Sequence, residues 1–317
     1  MNVLLVGITG QTAAYVTKFL LELGFEVTGS SRDKARANLS NLQRVGVNTS
    51  KLCIISLDPA DPRQVFCVLA NSSYDIIINL AGQTSVGLSF DQPAQSLDSI
   101  ITSCLNFIEA IKSLKLKAIY FNAASSECFG NTDDIPASEQ TPFKPNSPYA
   151  VAKASPFHLT RLAREAYGIQ AFTGILSNHE SPLRGSQFDT ARIINQLKLI
   201  KNGSESQLVL GNLKTTRDWG FAPDYAKAIV GMISSNVLED VIIATGESHS
   251  LREFIHAAAK ELDIHEDFKI VQDMSLVRPL DVEVCRLNPS KIKRLIGWSS
   301  TTTFPSMVSK LVHGDLF

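Results

Sequence analysis

The chain has 317 residues, 44% of them hydrophobic and 19% charged, with 30 Lys and Arg against 31 Asp and Glu. A formal net charge of -1 gives no bulk attraction for nucleic acid or an anionic membrane surface, and no stretch approaches the ~20 apolar residues of a membrane span. The five cysteines (Cys53, Cys67, Cys104, Cys128 and Cys285) are scattered, with no C-x-x-C and no histidine at metal-ligand spacing. No metal is expected, and the thiols read as small apolar fillers in a reducing compartment.

Met1 leads straight into a short apolar run ending at Gly7, too short and too lacking in basic flank for a signal peptide, so a cytoplasmic location is expected. Short apolar runs predict strands at 3–6, 26–30, 52–56, 75–80, 118–122, 170–176 and 241–244. Between the first two, Ala14, Val16, Phe19, Leu20 and Leu23 recur at helical spacing over 11–23, and Gly24 supplies a stop. Longer helices are predicted at 95–113 and 147–167. Residues 178–182 read as loop, followed by a helix near 191–201, a strand near 207–210, and helices at 251–262 and 290–296.

Strands alternating with amphipathic helices indicate an α/β fold, a Rossmann-type doubly wound parallel sheet. Residues 1–176, with a return segment near 222–246, would form the dinucleotide-binding domain. Residues 177–317 would form a smaller, interleaved substrate-binding lobe.

Gly7-Ile-Thr-Gly10-Gln-Thr-Ala13 sits where the first strand meets the first helix. Small residues there let the backbone approach a pyrophosphate, whose charge the helix N-terminus stabilises. Gly7, Thr9, Gly10, Gln11 and Thr12 are therefore candidate cofactor contacts. After the second strand stands Ser30-Ser31-Arg32-Asp33. An acid there would accept from the 2′-hydroxyl of NAD, whereas Arg32 suits the 2′-phosphate of NADP, so NADP is the expected cofactor. The bland reading of Arg32 is a solvated cation paired with Asp33. Further cofactor contacts are expected from Asp58, beside the adenine, and from Leu80, Ala81, Gly82 and Gln83; Asp58 alone is equally a turn residue.

Tyr149 and Lys153 lie four apart and share a helix face. A lysine charge beside the phenol favours the phenolate, giving a group that exchanges protons with an alcohol while a nicotinamide takes the hydride. An isolated Y-x-x-x-K match is more often a surface pair; behind a glycine turn it reads as a dehydrogenase signature. Ser125 and Glu127 follow the fifth strand, and in extended chain positions i and i+2 point one way. A carboxylate beside the hydroxyl, the phenol and the lysine adds the means to remove a carbon-bound proton.

The blocks Gly7-Ile-Thr-Gly10-Gln11, Asn79-Leu-Ala-Gly-Gln83, Ser125-Ser-Glu127, Ser147-Pro-Tyr-Ala150 with Lys153, Arg164-Glu-Ala-Tyr-Gly168, Gly174-Ile-Leu-Ser-Asn-His-Glu-Ser-Pro182, Gly211-Asn-Leu213, Arg217-Asp-Trp-Gly220, Ala244-Thr-Gly-Glu247 and Arg278-Pro279 run along nearly the whole chain. Together they resemble the extended short-chain dehydrogenase/reductases, and among these the GDP-mannose 4,6-dehydratase family.

The resemblance implies a lyase that converts GDP-mannose to its 4-keto-6-deoxy product by internal hydride transfer from C4 to C6. It implies Tyr149 as base at C4, Lys153 as its partner and a cofactor contact, Ser125 on the C4 oxygen, and Glu127 on the C5 proton. It further implies cofactor contacts at His179 and Arg184. Asn178, Arg192, Arg217 and Arg278 would hold the substrate diphosphate, Asn212 and Asp281 the nucleoside, and Ser85 a further part of the substrate.

Thr12-Ala13 and Ser125 depart from the Asp-Gly and Thr usual in the family. Ser31-Arg-Asp-Lys-Ala-Arg36 replaces an Arg-Arg-Ser-Ser-Ser segment that supports tetramers, so a homodimer built on the 95–113 and 147–167 helices is expected, with a tetramer as the alternative. Competing readings are a dehydratase, reductase or epimerase of another nucleotide sugar, and a non-catalytic NADP-binding regulator.

Overall fold

Six strands, β1 (Asn2–Val6), β2 (Glu26–Ser31), β3 (Cys53–Ser56), β4 (Ile76–Asn79), β5 (Ile119–Ser125) and β6 (Ala171–Leu176), join Val241–Ile243 in one seven-stranded sheet. This computed structural model describes residues 1–264 and 268–317. All pairings in the sheet are parallel, in the order Val241–Ile243, β6, β5, β4, β1, β2, β3. β1 feeds its apolar residues to both faces: Val3 and Leu5 join one core cluster, Leu4 and Val6 another. A strand covered on both sides needs such a continuous apolar run.

Because β1 is flanked by β2 and β4, the order reverses there, and a crevice opens at the carboxyl ends of the strands. The first helix, α1 (Gln11–Glu22), packs on Ala222–Ser234, and Ala14 and Val16 share a buried cluster with Ala226 and Ile229 of that helix. The Rossmann-type α/β architecture is as expected from the sequence.

Three local expectations are corrected. The 95–113 helix is broken into Pro93–Leu97, a π turn at Asp98–Thr102, and Ser103–Leu114. Ser99 and Ile100 of that turn reach the loop after β4: Ser99 Oγ accepts from the Gln83 amide at 3.4 Å, and Ile100 fills the space beside Gly82. Residues 178–182 are not all loop, because Asn178–Glu180 pairs in parallel with Trp219–Phe221. The helix Ser290–Ile296, expected in the smaller lobe, instead places Ile292 in the cluster that holds Val241 and Ile243 of the main sheet.

A second core binds together the helices Asp189–Lys201, Leu251–Glu261 and Phe304–His313, through Leu197, Phe254 and Met307, and the strand Gln207–Leu210 through Leu208. That strand pairs with Lys269–Gln272. Among the described residues no helix is long and apolar enough to cross a membrane, and no group of three or more His, Cys, Asp or Glu side chains could hold a metal ion.

Candidate active site

The turn after β1 is shaped by sterics. Gly7 has φ +85°, and a Cβ there would stand 3.0 Å from Cα and N of Ala81. Gly10 occupies the N-cap of α1 without a side-chain cap, and the first turn carries no acid. The first amides of α1 are thus left for a ligand, and the turn fits a pyrophosphate. A cavity of about 470 Å³ begins here and extends to Leu210, Trp219 and Leu251 of the second core. Its wall takes Gly7, Gly10, Gln11 and Thr12 from the turn, and Leu80 and Ser85 from the loop after β4. The same wall holds Ser125, Glu127, Tyr149 and Lys153.

Ser125 ends β5, but the chain does not stay extended. It turns into a short 3-10 helix, Ser126–Phe129, and the Glu127 amide donates to Ser125 Oγ at 3.3 Å. The hydroxyl and the carboxylate therefore meet the cavity through a turn, not through strand alternation. Tyr149 and Lys153 occupy the first two turns of the helix Pro148–Tyr167. Ser147 caps that helix by accepting from the Ala150 amide at 3.0 Å, and Pro148 needs no partner at that position. Ser89 anchors the Tyr149 amide at 3.1 Å.

The electrostatics differ from the expected lysine–phenol pairing. Lys153 Nζ donates to the Ala123 carbonyl at 2.8 Å and stands 6.0 Å from the centre of the Tyr149 ring. Burial pushes the Lys153 ammonium down to about 8. Burial likewise pushes the Tyr149 phenol above its ordinary value; the Ser125 hydrogen bond and the Arg184 charge act in the opposite direction. The net direction is toward the neutral phenol, and the pull toward the phenolate comes from the Ser125 and Arg184 side.

His179 closes the cavity beside α1. Its Nδ1–H faces the Ser177 carbonyl at 2.9 Å, which leaves Nε2 as acceptor for the Thr12 hydroxyl at 2.7 Å. Burial pushes the ring down to about 4, so it is neutral, and it stacks on Tyr225 with centroids 5.0 Å apart. Gln11 ties the same strand down, donating to the His179 carbonyl at 3.0 Å and accepting from Ser181 Oγ at 2.8 Å. Arg184 lies 3.3 Å from the buried Glu180 carboxylate, with its guanidinium 3.6 Å over the Phe188 ring. Burial raises Glu180, opposed by Arg184 and by the Thr190 hydroxyl at 2.7 Å.

The cavity lining also includes Asn178, Arg192, Asn212, Arg217, Arg278 and Asp281. Arg192 pairs with Asp189 at 2.7 Å, and Arg278 with Asp281 at 3.1 Å and Asp189 at 3.5 Å. Asp281 also holds Arg217 at 3.3 Å and accepts from Asn212 at 3.3 Å, so its carboxylate is committed to this cluster. Three arginines and two aspartates give one face an excess of cationic donors, suited to a diphosphate.

All four expected catalytic residues and all seven expected substrate residues share this cavity, as do Gly7, Gly10, Gln11, Thr12, Leu80, His179 and Arg184. Six expected cofactor residues lie off its wall. Thr9 gives its carbonyl to Asn41 at 3.1 Å, Asp58 accepts from the Ala60 amide at 3.0 Å in a turn, and Gln83 donates to the Ser85 carbonyl at 2.7 Å. Ala81 packs under Gly7, Gly82 against Ile100, and Arg32 is exposed at the end of β2. Sequence reasoning missed Glu180 and Asp189, the acids that hold Arg184 and Arg192. Their signal was the spacing, i and i+4 for the first pair and i and i+3 for the second.

The sequence profile described as GDP-mannose 4,6 dehydratase matches residues 4–311. The GDP-mannose 4,6 dehydratase 1 of Arabidopsis thaliana is 38% identical over 322 residues, spanning 99% of this chain and 89% of its own. The GDP-mannose 4,6-dehydratase of Vibrio cholerae is 37% identical, spanning 99% and 93%. Among solved structures, a Thermus thermophilus UDP-glucose 4-epimerase complex with NAD superposes with a TM-score of 0.86 at 22% identity, covering 99% of this chain and 98% of that one. A Streptomyces venezuelae dTDP-glucose 4,6-dehydratase reaches a TM-score of 0.86 at 19% identity, covering 99% and 96%. At such identities the structures speak for the fold, while the profile and the full-length relatives speak for descent: the chain belongs to the GDP-mannose 4,6-dehydratase family.

Proposed function

We propose that this protein dehydrates GDP-mannose to GDP-4-keto-6-deoxy-mannose, with NADP as a resident cofactor. The supporting observation is a carboxylate, Glu127, on the same cavity wall as Ser125, Tyr149 and Lys153. A plain dehydrogenase needs only the last three. When bound, a nicotinamide cofactor would supply the two-electron acceptor for C4 and the donor for C6.

In this reading Tyr149 takes the proton of the C4 hydroxyl, and Ser125 donates to the oxygen as it becomes a carbonyl. The C4 ketone acidifies the neighbouring C5–H. Glu127 removes that proton, the C5–H electrons form a C5–C6 double bond, and the C6–O bond breaks. The departing hydroxyl takes the proton from Glu127 and leaves as water. Tyr149 returns its proton at C5, so that one water is lost and no net redox change occurs.

Asn178, Arg192, Arg217 and Arg278 face the diphosphate, Asn212 and Asp281 the nucleoside, and Ser85 the sugar end. Gly7, Gly10, Gln11, Thr12, Leu80, Lys153, His179 and Arg184 face the cofactor. Arg32, at the end of β2, favours the 2′-phosphate of NADP. Homodimerisation is proposed through Ser103–Leu114 and Pro148–Tyr167, whose Leu105, Val151 and Leu162 stand exposed.

Incubation with GDP-mannose and mass spectrometry of the product tests the reading. Loss of one water without added reductant is expected; intact GDP-mannose beside conversion of another nucleotide sugar overturns it. Glu127→Gln should abolish solvent deuterium uptake at C5 while NADP affinity stays within about 3-fold, well under one typical charged contact.

A further inference from the structure

Two buried titratable groups near the cavity have no part in the chemistry above: Asp218, 1% exposed, and Tyr225, fully buried. Asp218 is seated by protein donors. Oδ1 accepts from Ser177 Oγ at 3.0 Å, the Thr245 amide at 3.0 Å and the Thr245 hydroxyl at 2.9 Å, and Oδ2 accepts from the Gly246 amide at 2.8 Å. The Tyr225 hydroxyl bonds to Ser177 Oγ and lies 3.4 Å from Asp218 Oδ1. A buried carboxylate satisfied in this way is a fixed point, and the phenol is anchored to it.

The Tyr225 ring stacks on His179, with centroids 5.0 Å apart and 18° between the planes. Trp298 braces the same ring edge-on at 6.1 Å. Gly220 stands opposite His179 in the pairing of Asn178–Glu180 with Trp219–Phe221, and a Cβ there would overlap the Tyr225 ring. The missing side chain makes room for the stack. Both His179 nitrogens are engaged, Nδ1 by the Ser177 carbonyl and Nε2 by the Thr12 hydroxyl. Rotation of the imidazole would break both bonds, and stacking on an anchored ring resists that rotation. The charges of Arg184 and Lys153 also act on His179 and oppose its protonation.

Resting on the reading of His179 and the first turn of α1 as cofactor contacts, we infer that Tyr225 is a positioning residue for dinucleotide binding. Anchored at Asp218, it holds the His179 ring so that Thr12 and the first amides of α1 stay aimed at the pyrophosphate. Tyr225 itself lies off the cavity wall, so its effect reaches the ligand through His179. Asn178 apart, the residues that face GDP lie on other segments. Affinities for the two nucleotides should therefore part.

The test titrates the full-length protein with NADP and, separately, with GDP, with wild type run alongside. In Tyr225→Leu, NADP affinity by calorimetry should fall about 10-fold, the loss of one hydrogen bond, and GDP affinity should stay within about 3-fold. Spectra of histidine labelled with nitrogen-15 read the ring directly. Wild-type His179 should show the Nδ1–H tautomer and stay neutral until pH nears 4; in Tyr225→Leu the tautomers should mix and the midpoint should move toward 6.5. Tyr225→Phe keeps the ring and should restore most of both signals. In a His179→Gln background, Tyr225→Leu should cause no further loss of NADP affinity, as a shared role requires. The inference is overturned if Tyr225→Leu binds NADP as wild type does, if it weakens NADP and GDP equally with the His179 spectrum unchanged, or if its loss persists in full beside His179→Gln. A wild-type His179 that titrates at 6.5 overturns it with no variant at all, so a substitution that merely fails to fold leaves the test intact. Wild type that binds no dinucleotide would instead sink the cofactor reading itself.

Discussion

Thr12 and His179, 167 positions apart in sequence, meet at 2.7 Å between Oγ1 and Nε2 and tie the short strand Asn178–Glu180 to the first turn of α1. In the neutral ring that burial favours, Nδ1 donates to the Ser177 carbonyl and Nε2 accepts from the Thr12 hydroxyl. The site is therefore sensitive to acid on one side and, through Lys153, to base on the other.

Acid acts first on His179. Burial holds the folded ring at about 4, against an ordinary 6.5, so between these values the unfolded chain binds the extra proton. Stability is full above about pH 6.5 and is lost as pH falls toward 4. The loss should approach about 2 kcal/mol, below the full shift because one ring edge keeps contact with the cavity. Urea titrations at stepped pH should show it, and His179→Gln should flatten the slope in that window. A slope unchanged by the substitution would contradict the assignment.

Lys153 governs the basic side. Burial places its ammonium at about 8, so in the ligand-free protein the charge disappears as pH rises past that value. Affinity for the dinucleotide should fall above about pH 8. Lys153→Met should bind more weakly at neutral pH and show no further change up to pH 9, as read by fluorescence titration of the cofactor.

Gly7→Ala should destabilise the fold and damage cofactor binding together. The residue would have to hold φ +85° and find room 3.0 Å from the Ala81 backbone. Strain of this kind costs about 1–3 kcal/mol. The midpoint of urea unfolding should drop accordingly; an unchanged midpoint would mean that the turn relaxes freely.

Arg32 is exposed and lies off the cavity wall, so its removal should leave stability alone. If it receives the 2′-phosphate, Arg32→Ala should weaken NADP by about 10-fold or more, the worth of one charge-assisted contact, and leave NAD affinity unchanged. Equal losses for both cofactors would remove the argument for NADP.

Homodimerisation should be visible by light scattering. Leu105→Glu with Leu162→Glu would set charge on the exposed apolar face and should yield monomer; an unaltered assembly would point to another surface.

Much of the fold was legible because its signals are local. The seven sheet strands are short apolar runs with turn residues at their ends, and α1 announces itself by its apolar spacing and by Gly24. The helix Pro62–Ala70 carried an equally local signal, Asp61 as cap with Pro62 behind it, which the alternation of strands obscured. The π turn at Asp98–Thr102 had no such signal. It exists because Ile100 and Ser99 find their partners on the loop after β4. Lys269–Gln272 becomes a strand only because Gln207–Leu210 lies beside it.

The same division runs through the site. The order of residue types alone determined that a glycine turn opens a helix, that Tyr149 and Lys153 share a face, and that a hydroxyl and a carboxylate follow β5, since each depends only on spacing along one element. Partnership was decided in three dimensions. Lys153 turned to the Ala123 carbonyl, Asp281 was drawn into the arginine cluster, and Arg217 was brought to Glu127 by the short strand Thr216–Arg217. Spacing sets which way a side chain points; the packing of distant segments sets what it finds there, because buried charge must be met by whatever donor the fold carries to it.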